Sequence, residues 1–337
     1  MSGALLDGHD ALLSDLDGVI YAGPHAIPGA VEALQRADRE GLSLGYVTNN
    51  ASRSPEAVAA HLRELGAPAT AETVFGSSRV GAQLLAEHTP PGSRVLVIGS
   101  EALRSEVTAL GFTLVSSADD APDAVIQGFD PSLGWSDLAE ASFAVTTGAL
   151  WVATNTDRTI PVARGVAPGN GSLVAAVAAA TGQQPLVAGK PEPTLFRAAA
   201  QALHSVKPLV VGDRLDTDIL GGNRAGYATA LVLTGVDTAL SALQAVTAER
   251  PRYLLAGLDE LHAPAAIVRE EDNGWRCGDA WATVHEATDD AAATVEIFGP
   301  AESLDGWRAA CAAWWQAVPQ PETVTDPVLM WRGTPRS

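Results

Sequence analysis

The chain has 337 residues, with 40 acidic against 21 basic side chains, a net charge of −19 and a pI near 4.6. At 47% hydrophobic it is too apolar for a disordered chain, and its length predicts about two or three domains. The charge excludes the basic face that nucleic acids and anionic membranes require, so neither is expected as a partner.

In chain order, Ala11–Asp15 is a short apolar run of the kind a buried parallel strand needs. Helical spacing follows over Pro28–Arg39, with Pro28 in a tolerant first turn. Ser43–Val47 is the second strand and ends at Thr48-Asn49-Asn50. Ser54 and Pro55 mark a helix start, as N-cap and first helical residue. Glu72–Phe75 is a third strand. The pattern then restarts with a strand at Arg94–Ile98, a helix at Glu101–Leu110 and a strand at Ala124–Gln127. A helix at Trp135–Ala144, a strand at Trp151–Ala153 and an Ala-rich helix at Gly169–Thr181 complete that run. The next comprises a helix at Pro193–Leu203, a strand at Pro208–Val211, a helix at Thr217–Ala225 and a strand at Ala228–Leu233. Strands alternating with helices predict an α/β chain with parallel sheets covered on both faces. From Pro264 the character changes. Six of the eight tryptophans and both cysteines lie there, with strands expected at Trp281–His285 and Ala293–Phe298 and an amphipathic helix at Ser303–Val318. This tail reads as a small α+β appendage.

Two cysteines, Cys277 and Cys311, cannot build a disulfide framework, and they suit a reducing compartment. The N-terminus carries acids and lacks a basic n-region, so no leader is expected. No apolar run reaches the ~18 residues of a membrane span. The expected location is therefore cytoplasmic. Only two of the basic residues are lysines, Lys190 and Lys207, a bias that fits a high-GC genome.

Chemistry concentrates at strand ends. Asp15-Leu16-Asp17-Gly18 follows the first strand, where the crevice beyond the carboxyl ends of a parallel sheet binds ligands. Gly18 permits a tight turn and a close backbone approach. On its own this is equally an Asx-rich turn. Gly212-Asp213-Arg214-Leu215-Asp216-Thr217-Asp218 follows a second apolar strand in the same way, although one of its acids is expected to cap the next helix. Carboxylates gathered at neighbouring strand ends repel unless a cation is present, and hard oxygen donors suit Mg²⁺. Thr48-Asn49-Asn50 offers a hydroxyl and two carboxamides to an anion. Lys190, rigidly flanked in Gly-Lys-Pro-Glu-Pro, is a compact point charge for a phosphoryl oxygen, which arginine's fork does not reproduce.

The ordered set Asp-x-Asp-Gly, Thr-Asn-Asn, Gly-Lys-Pro and Gly-Asp-Arg-(x)₃-Asp resembles the haloacid dehalogenase superfamily over roughly residues 10–260. The Asp15/Asp17 pair looks like its phosphatases. Ala153-Thr154-Asn155-Thr156-Asp157, Pro168-Gly169-Asn170-Gly171 and Ala180-Thr181-Gly182 look like the NagD/4-nitrophenylphosphatase branch. The resemblance implies a Rossmann-like core over 1–77 and 190–263, an inserted αβ cap over 78–189, and a C-terminal α+β region over 264–337. It implies Asp15 as nucleophile and Asp17 as general acid and base. Thr48, Asn49, Asn50 and Gly18 would hold the phosphoryl group, and Lys190 would offset its charge. Mg²⁺ would bind Asp15, the Asp17 carbonyl and Asp213, with Asp218 just outside them. Asn155, Asp157 and Arg164 of the cap would meet the leaving group.

The implied substrate is a small phosphorylated metabolite. Glycerol 3-phosphate heads the list, because actinobacterial members resembling glycerol-3-phosphate phosphatases carry such a tail, like a reduced acetyltransferase domain. Phosphoglycolate, pyridoxal phosphate and 4-nitrophenyl phosphate are the competitors. The tail lacks a Gly-rich pyrophosphate loop, so acetyl transfer is not expected of it. Its tryptophans suit packing or an oligomer contact, and a homo-oligomer through cap or tail is the expected association. A receiver-type signalling domain would share the phospho-acceptor Asp but not the Asp-x-Asp pair. A non-catalytic phospho-ligand sensor would not need Asp17.

Overall fold

The computed structural model describes residues 3–51, 53–162, 164–271, 273–287, 292–320 and 326–333. The chain divides into two compact units, Met1–Leu44 with Ser205–Ser337, and Gly45–His204.

In the first unit four parallel strands lie in the order Tyr253–Leu255, Ala228–Val232, Pro208–Gly212 and Ala11–Ser14. Every residue of Ala11–Ser14 and Pro208–Gly212 is buried, as expected of a parallel sheet covered on both faces. The helix expected from Pro28 begins later, at Ala30. Gly29 takes φ +80°, a left-handed conformation open to glycine, and so delays the first turn. The helix expected over Thr217–Ala225 is a turn of π-helix over Leu215–Ile219 that runs into an α-helix at Leu220–Ala225. Such π turns cluster at functional sites.

The C-terminal region belongs to this unit. Its sheet runs Val268–Glu271, Gly274–Cys277, Ala280–His285, Thr294–Phe298, Val328–Arg332. Neighbours are antiparallel except the last pair, which is parallel. The helix Leu304–Ala317 joins that pair. Two of these strands are expected from the sequence and three are not. Val268–Glu271 is mostly charged and Gly274–Cys277 is short, so neither presents an apolar run. Val328–Arg332 is an edge strand of alternating exposure. The tryptophans go into the core: Trp314 is buried beside Cys277, Val295, Ile297 and Cys311, with Trp275, Trp307, Trp315 and Trp331 packed around them. Both cysteines are free, and burial pushes each thiol up to about 12.

In the second unit the strand Ser43–Thr48 pairs in parallel with Val74–Gly76. Between them lies the helix Pro55–Glu64, whose N-cap Ser54 accepts from the Ala57 N–H at 3.3 Å, as its sequence predicts. A separate five-stranded parallel sheet follows, in the order Leu186–Val187, Leu150–Ala153, Ala124–Gln127, Arg94–Ile98, Thr113–Val115. Helices Ser77–His88 and Glu101–Ala109 cover one face and Trp135–Thr146 and Asn170–Thr181 the other. The first of these is not foreseen, because Gly81 interrupts its pattern. There the missing β-carbon leaves only ordinary van der Waals space against Thr154 and Ile126. The antiparallel hairpin Thr159–Val162/Gly165–Pro168 is likewise unforeseen, because it contains two prolines. No helix among the described residues is long and apolar enough to cross a membrane.

Candidate active site

In the first unit, Asp15 stands one residue beyond its strand. Its N–H still donates to Val211 O at 2.8 Å, so the ladder carries it to the sheet edge beside Gly212 and Asp213. One carboxylate oxygen from each of Asp15, Asp213 and Asp218 lies within 4.8 Å of the others. This is the one such grouping among the described residues. Asp213 and Asp218 are buried at 2% and 0% exposure. Buried anions this close need a cation or shared protons. The donor set, all carboxylate oxygen and no sulfur or imidazole, suits a hard divalent ion.

Two glycines shape the cradle. Gly18 has φ +80°, and a β-carbon on it would collide with the Asp213 carboxylate. A β-carbon on Gly235 would collide with the same carboxylate. The Thr234 hydroxyl donates to Gly18 O at 2.7 Å and the Val236 N–H to Asp213 Oδ2 at 2.8 Å. The loop 234–237 therefore grips both motifs. The sequence reading misses it, although its signal is the familiar one, an apolar strand followed by Thr and Gly. Asp218 accepts from the Arg214 N–H at 3.2 Å. Asp17 keeps solvent access. Partial burial and repulsion from Asp15 push its carboxyl above the ordinary range, while the Gly18 N–H pulls it down.

In the second unit, Thr48 closes its strand, 8% exposed, with its hydroxyl accepting from the Asn50 N–H at 3.1 Å. Asn49 is a hub. Its amide nitrogen donates to both Asp157 oxygens, at 3.0 and 3.1 Å, and to Lys190 O at 3.0 Å. Its amide oxygen accepts from the Lys190 N–H at 2.8 Å. The Asn49 carbonyl accepts from Asn155 Nδ2 at 2.8 Å and from the Ser77 hydroxyl at 2.7 Å. Lys190 is 3% exposed, and its Nζ lies 3.4 Å from Val47 O.

Asn49, Asn155, Asp157 and Lys190 thus come together, and Thr48 adjoins them in sequence. Asn50 is exposed. Arg164 sits exposed at the tip of the proline hairpin. The Asn155 and Asp157 side chains, expected to meet a leaving group, both hydrogen-bond Asn49. The physical reason is local: a carboxamide offers a donor and an acceptor in one plane, and carboxylate, carbonyl and N–H surround it. Ser77 is a further member that the sequence reading misses, and Gly189 of the Gly-Lys-Pro motif packs against the same hub. A β-carbon on Gly189 would crowd Asn49 Oδ1 and Thr154 O.

Comparison with known proteins identifies the family. The family model for haloacid dehalogenase-like hydrolases matches residues 12–113, and a second hydrolase model of that family matches 187–261. The chain is 49% identical over 269 residues to D-glycerol 3-phosphate phosphatase of Mycobacterium tuberculosis, covering 80% of this chain and 75% of that protein. A crystal structure of the glycerol phosphate phosphatase of that organism in complex with magnesium superposes with a TM-score of 0.84. It is 41% identical and covers 98% of this chain and 96% of its own. The p-nitrophenyl phosphatase of Archaeoglobus fulgidus superposes with a TM-score of 0.70 at 28% identity, covering 75% of this chain and 98% of its own. The quarter left over in that last match is about the size of the C-terminal region.

Proposed function

The chain belongs to the haloacid dehalogenase-like hydrolases and is a phosphoric monoester hydrolase, and from that premise we propose that it cleaves glycerol 3-phosphate with Mg²⁺. The observation that carries the chemistry is the convergence of Asp15, Asp213 and Asp218 at adjacent strand ends, with Asp17 two residues beyond the first. The substrate and the ion rest on the Mycobacterium tuberculosis relative, named for the first and crystallised with the second.

Asp15 attacks phosphorus; its oxygen forms the new P–O bond as the bond to the glycerol oxygen breaks. Asp17, whose carboxyl leans toward the protonated form, delivers its proton to that leaving oxygen. It then takes a proton from the water that attacks the aspartyl phosphate, which frees inorganic phosphate and restores Asp15. The Thr48 hydroxyl and the Asn49 backbone N–H hold phosphoryl oxygens, and the Lys190 ammonium offsets their charge. Asp15, the Asp17 carbonyl and Asp213 would hold Mg²⁺, with Asp218 behind them, and the ion would supply the remaining charge neutralisation. These roles follow the order and spacing of the four motifs. Within this reading, residues 78–189 are the cap that selects the leaving group, inserted into a core of 1–77 and 190–263. Association of copies runs through that cap, where Trp135 is 83% exposed and Phe143 57% exposed.

The test is phosphate release from glycerol 3-phosphate, phosphoglycolate, pyridoxal phosphate and 4-nitrophenyl phosphate, ranked by kcat/KM with Mg²⁺ and with EDTA. Glycerol 3-phosphate should rank first among the metabolites, and EDTA should abolish release. Undiminished release in EDTA would sink the metal assignment. A higher rank for another metabolite would sink the substrate.

A further inference from the structure

The π turn that carries Asp218 and the helix beyond the loop that grips Asp213 share one hydrophobic cluster. Leu215 and Ile219, at either end of the π turn that holds Asp218, are buried with Leu231, Ala239, Ala242, Ala245 and Leu254. Ala239 and Ala242 lie on the short helix Ala239–Gln244, which follows directly on the loop 234–237 that holds Asp213. The same loop ties back to the π turn, since Leu215 N–H donates to Asp237 Oδ2 at 2.7 Å and Asp237 N–H to Asp213 O at 3.0 Å.

The C-terminal helix Leu304–Ala317 closes this cluster from outside. Its Leu304 and Trp307 pack against it. The indole N–H of Trp315 donates to the carbonyls of Ala242 and Leu243, at 3.2 Å each. Those carbonyls lie in the last turn of the short helix, where Ala242 O also accepts from the Ala245 N–H at 3.3 Å. The C-terminal helix is held at both ends by the core. Arg308 donates to Leu254 O at 2.7 and 3.0 Å and pairs with Glu260 at 2.6 Å. Arg250 lies over the Trp315 ring and donates to Val318 O at 2.6 Å.

We propose that the C-terminal region is a positioning element for the cation site: its helix fixes the loop and the π turn that set the spacing of Asp213 and Asp218, and so sets the affinity for a divalent ion. This rests on the reading of Asp15, the Asp17 carbonyl and Asp213 as magnesium ligands with Asp218 behind them. Loosening the helix moves the carboxylates apart without touching them, so ion affinity falls while turnover at saturating ion persists.

The experiment is calorimetric titration of Mg²⁺ into the full chain and variants, beside kcat at saturating Mg²⁺ and thermal melting. Trp315→Phe removes the indole N–H and keeps most of the ring. It should weaken Mg²⁺ binding about three- to tenfold, the equivalent of one hydrogen bond, with kcat at saturation within about twofold. Trp307→Leu should act in the same direction. Trp281→Phe is the control, because Trp281 packs on Phe298 through the sheet face turned away from the helix, and it should leave Mg²⁺ affinity unchanged. Wild-type affinity in both Trp315→Phe and Trp307→Leu would overturn the proposal, as would an equal loss in Trp281→Phe. Asp213→Asn separates the two readings. If the wild type binds no Mg²⁺, or Asp213→Asn binds it equally well, the metal assignment falls and the proposal with it; if only the tryptophan variants behave as wild type, the proposal alone falls.

Discussion

Asn49→Asp tests the hub of the second unit with almost no change of volume. In the native chain Asn49 Nδ2 stands 3.0 and 3.1 Å from the two Asp157 oxygens. The substitution replaces that donor with a second anion. At 3.0 Å and an effective dielectric of about 20, two such charges repel by about 5 kcal/mol. Protonation of one partner limits the penalty to about 1.4 kcal/mol for each pH unit above the ordinary carboxyl value near 4. The ceiling is therefore about 5 kcal/mol at pH 8 and about 1.5 kcal/mol at pH 5. The sign follows from linkage: the pair's folded-state pKa is raised, so the defect is full above that value and is relieved as pH falls through it. Urea unfolding at both pH values, with kcat/KM measured in parallel, reads the effect. The variant should lose about 3–5 kcal/mol at pH 8, recover most of it at pH 5, and lose kcat/KM because Lys190 hangs on the same amide. Adding Asp157→Asn exchanges donor and acceptor across the contact and should restore at least half of the loss. A loss under about 1 kcal/mol at pH 8, or no recovery in the exchanged pair, would refute the geometry.

Three further outcomes follow from the site. Asp15→Asn is isosteric and should stop phosphate release while leaving the melting temperature within a few degrees; residual Mg²⁺-dependent turnover would remove Asp15 as nucleophile. Lys190→Arg should be severely impaired although the charge is kept, because the side chain is 3% exposed and its Nζ is directed at Val47 O; unchanged kinetics would show that a point charge is not needed there. Gly235→Ala places a β-carbon on the Asp213 carboxylate. Overpacking of this kind costs about 1–3 kcal/mol, so Mg²⁺ affinity should drop about 5- to 150-fold, whereas Gly8→Ala, with nothing within 4 Å of the new carbon, should be silent.

The catalytic motifs are legible in the sequence because each is local. An apolar strand of four to six residues ends, and at its last residue or within three beyond it come the hydroxyl, the acid, the amide or the glycine. Asp15, Thr48 and Asp213 all stand where that rule places them. What is not legible depends on partners distant in sequence. Nothing around Asn155 or Asp157 says that both turn onto Asn49, more than 100 residues earlier. The loop 234–237 shows its Thr-Gly signal, but its value lies in contacts with Gly18 and Asp213 that only the folded sheet makes. The C-terminal sheet is hidden for a different reason. One edge strand, Val268–Glu271, is mostly charged, as exposed edges need to be to resist pairing with other chains, and the inner strand Gly274–Cys277 is short, so neither shows the apolar run by which the other inner strands are recognised.

The net charge of −19 sits oddly with an anionic substrate until it is divided by place. Asp213 and Asp218 are acids buried against one another, where a cation or a shared proton makes them tolerable. Asp157 accepts two hydrogen bonds from the Asn49 amide. That choice has a consequence. An ammonium or guanidinium at position 49 would pair with Asp157 more strongly, but it could not accept the Lys190 N–H, and it would place a second permanent positive charge beside the lysine. A carboxamide holds the Lys190 backbone in place and leaves the ammonium as the cation of this cluster. The remaining surface charge is screened beyond about 10 Å and serves solubility.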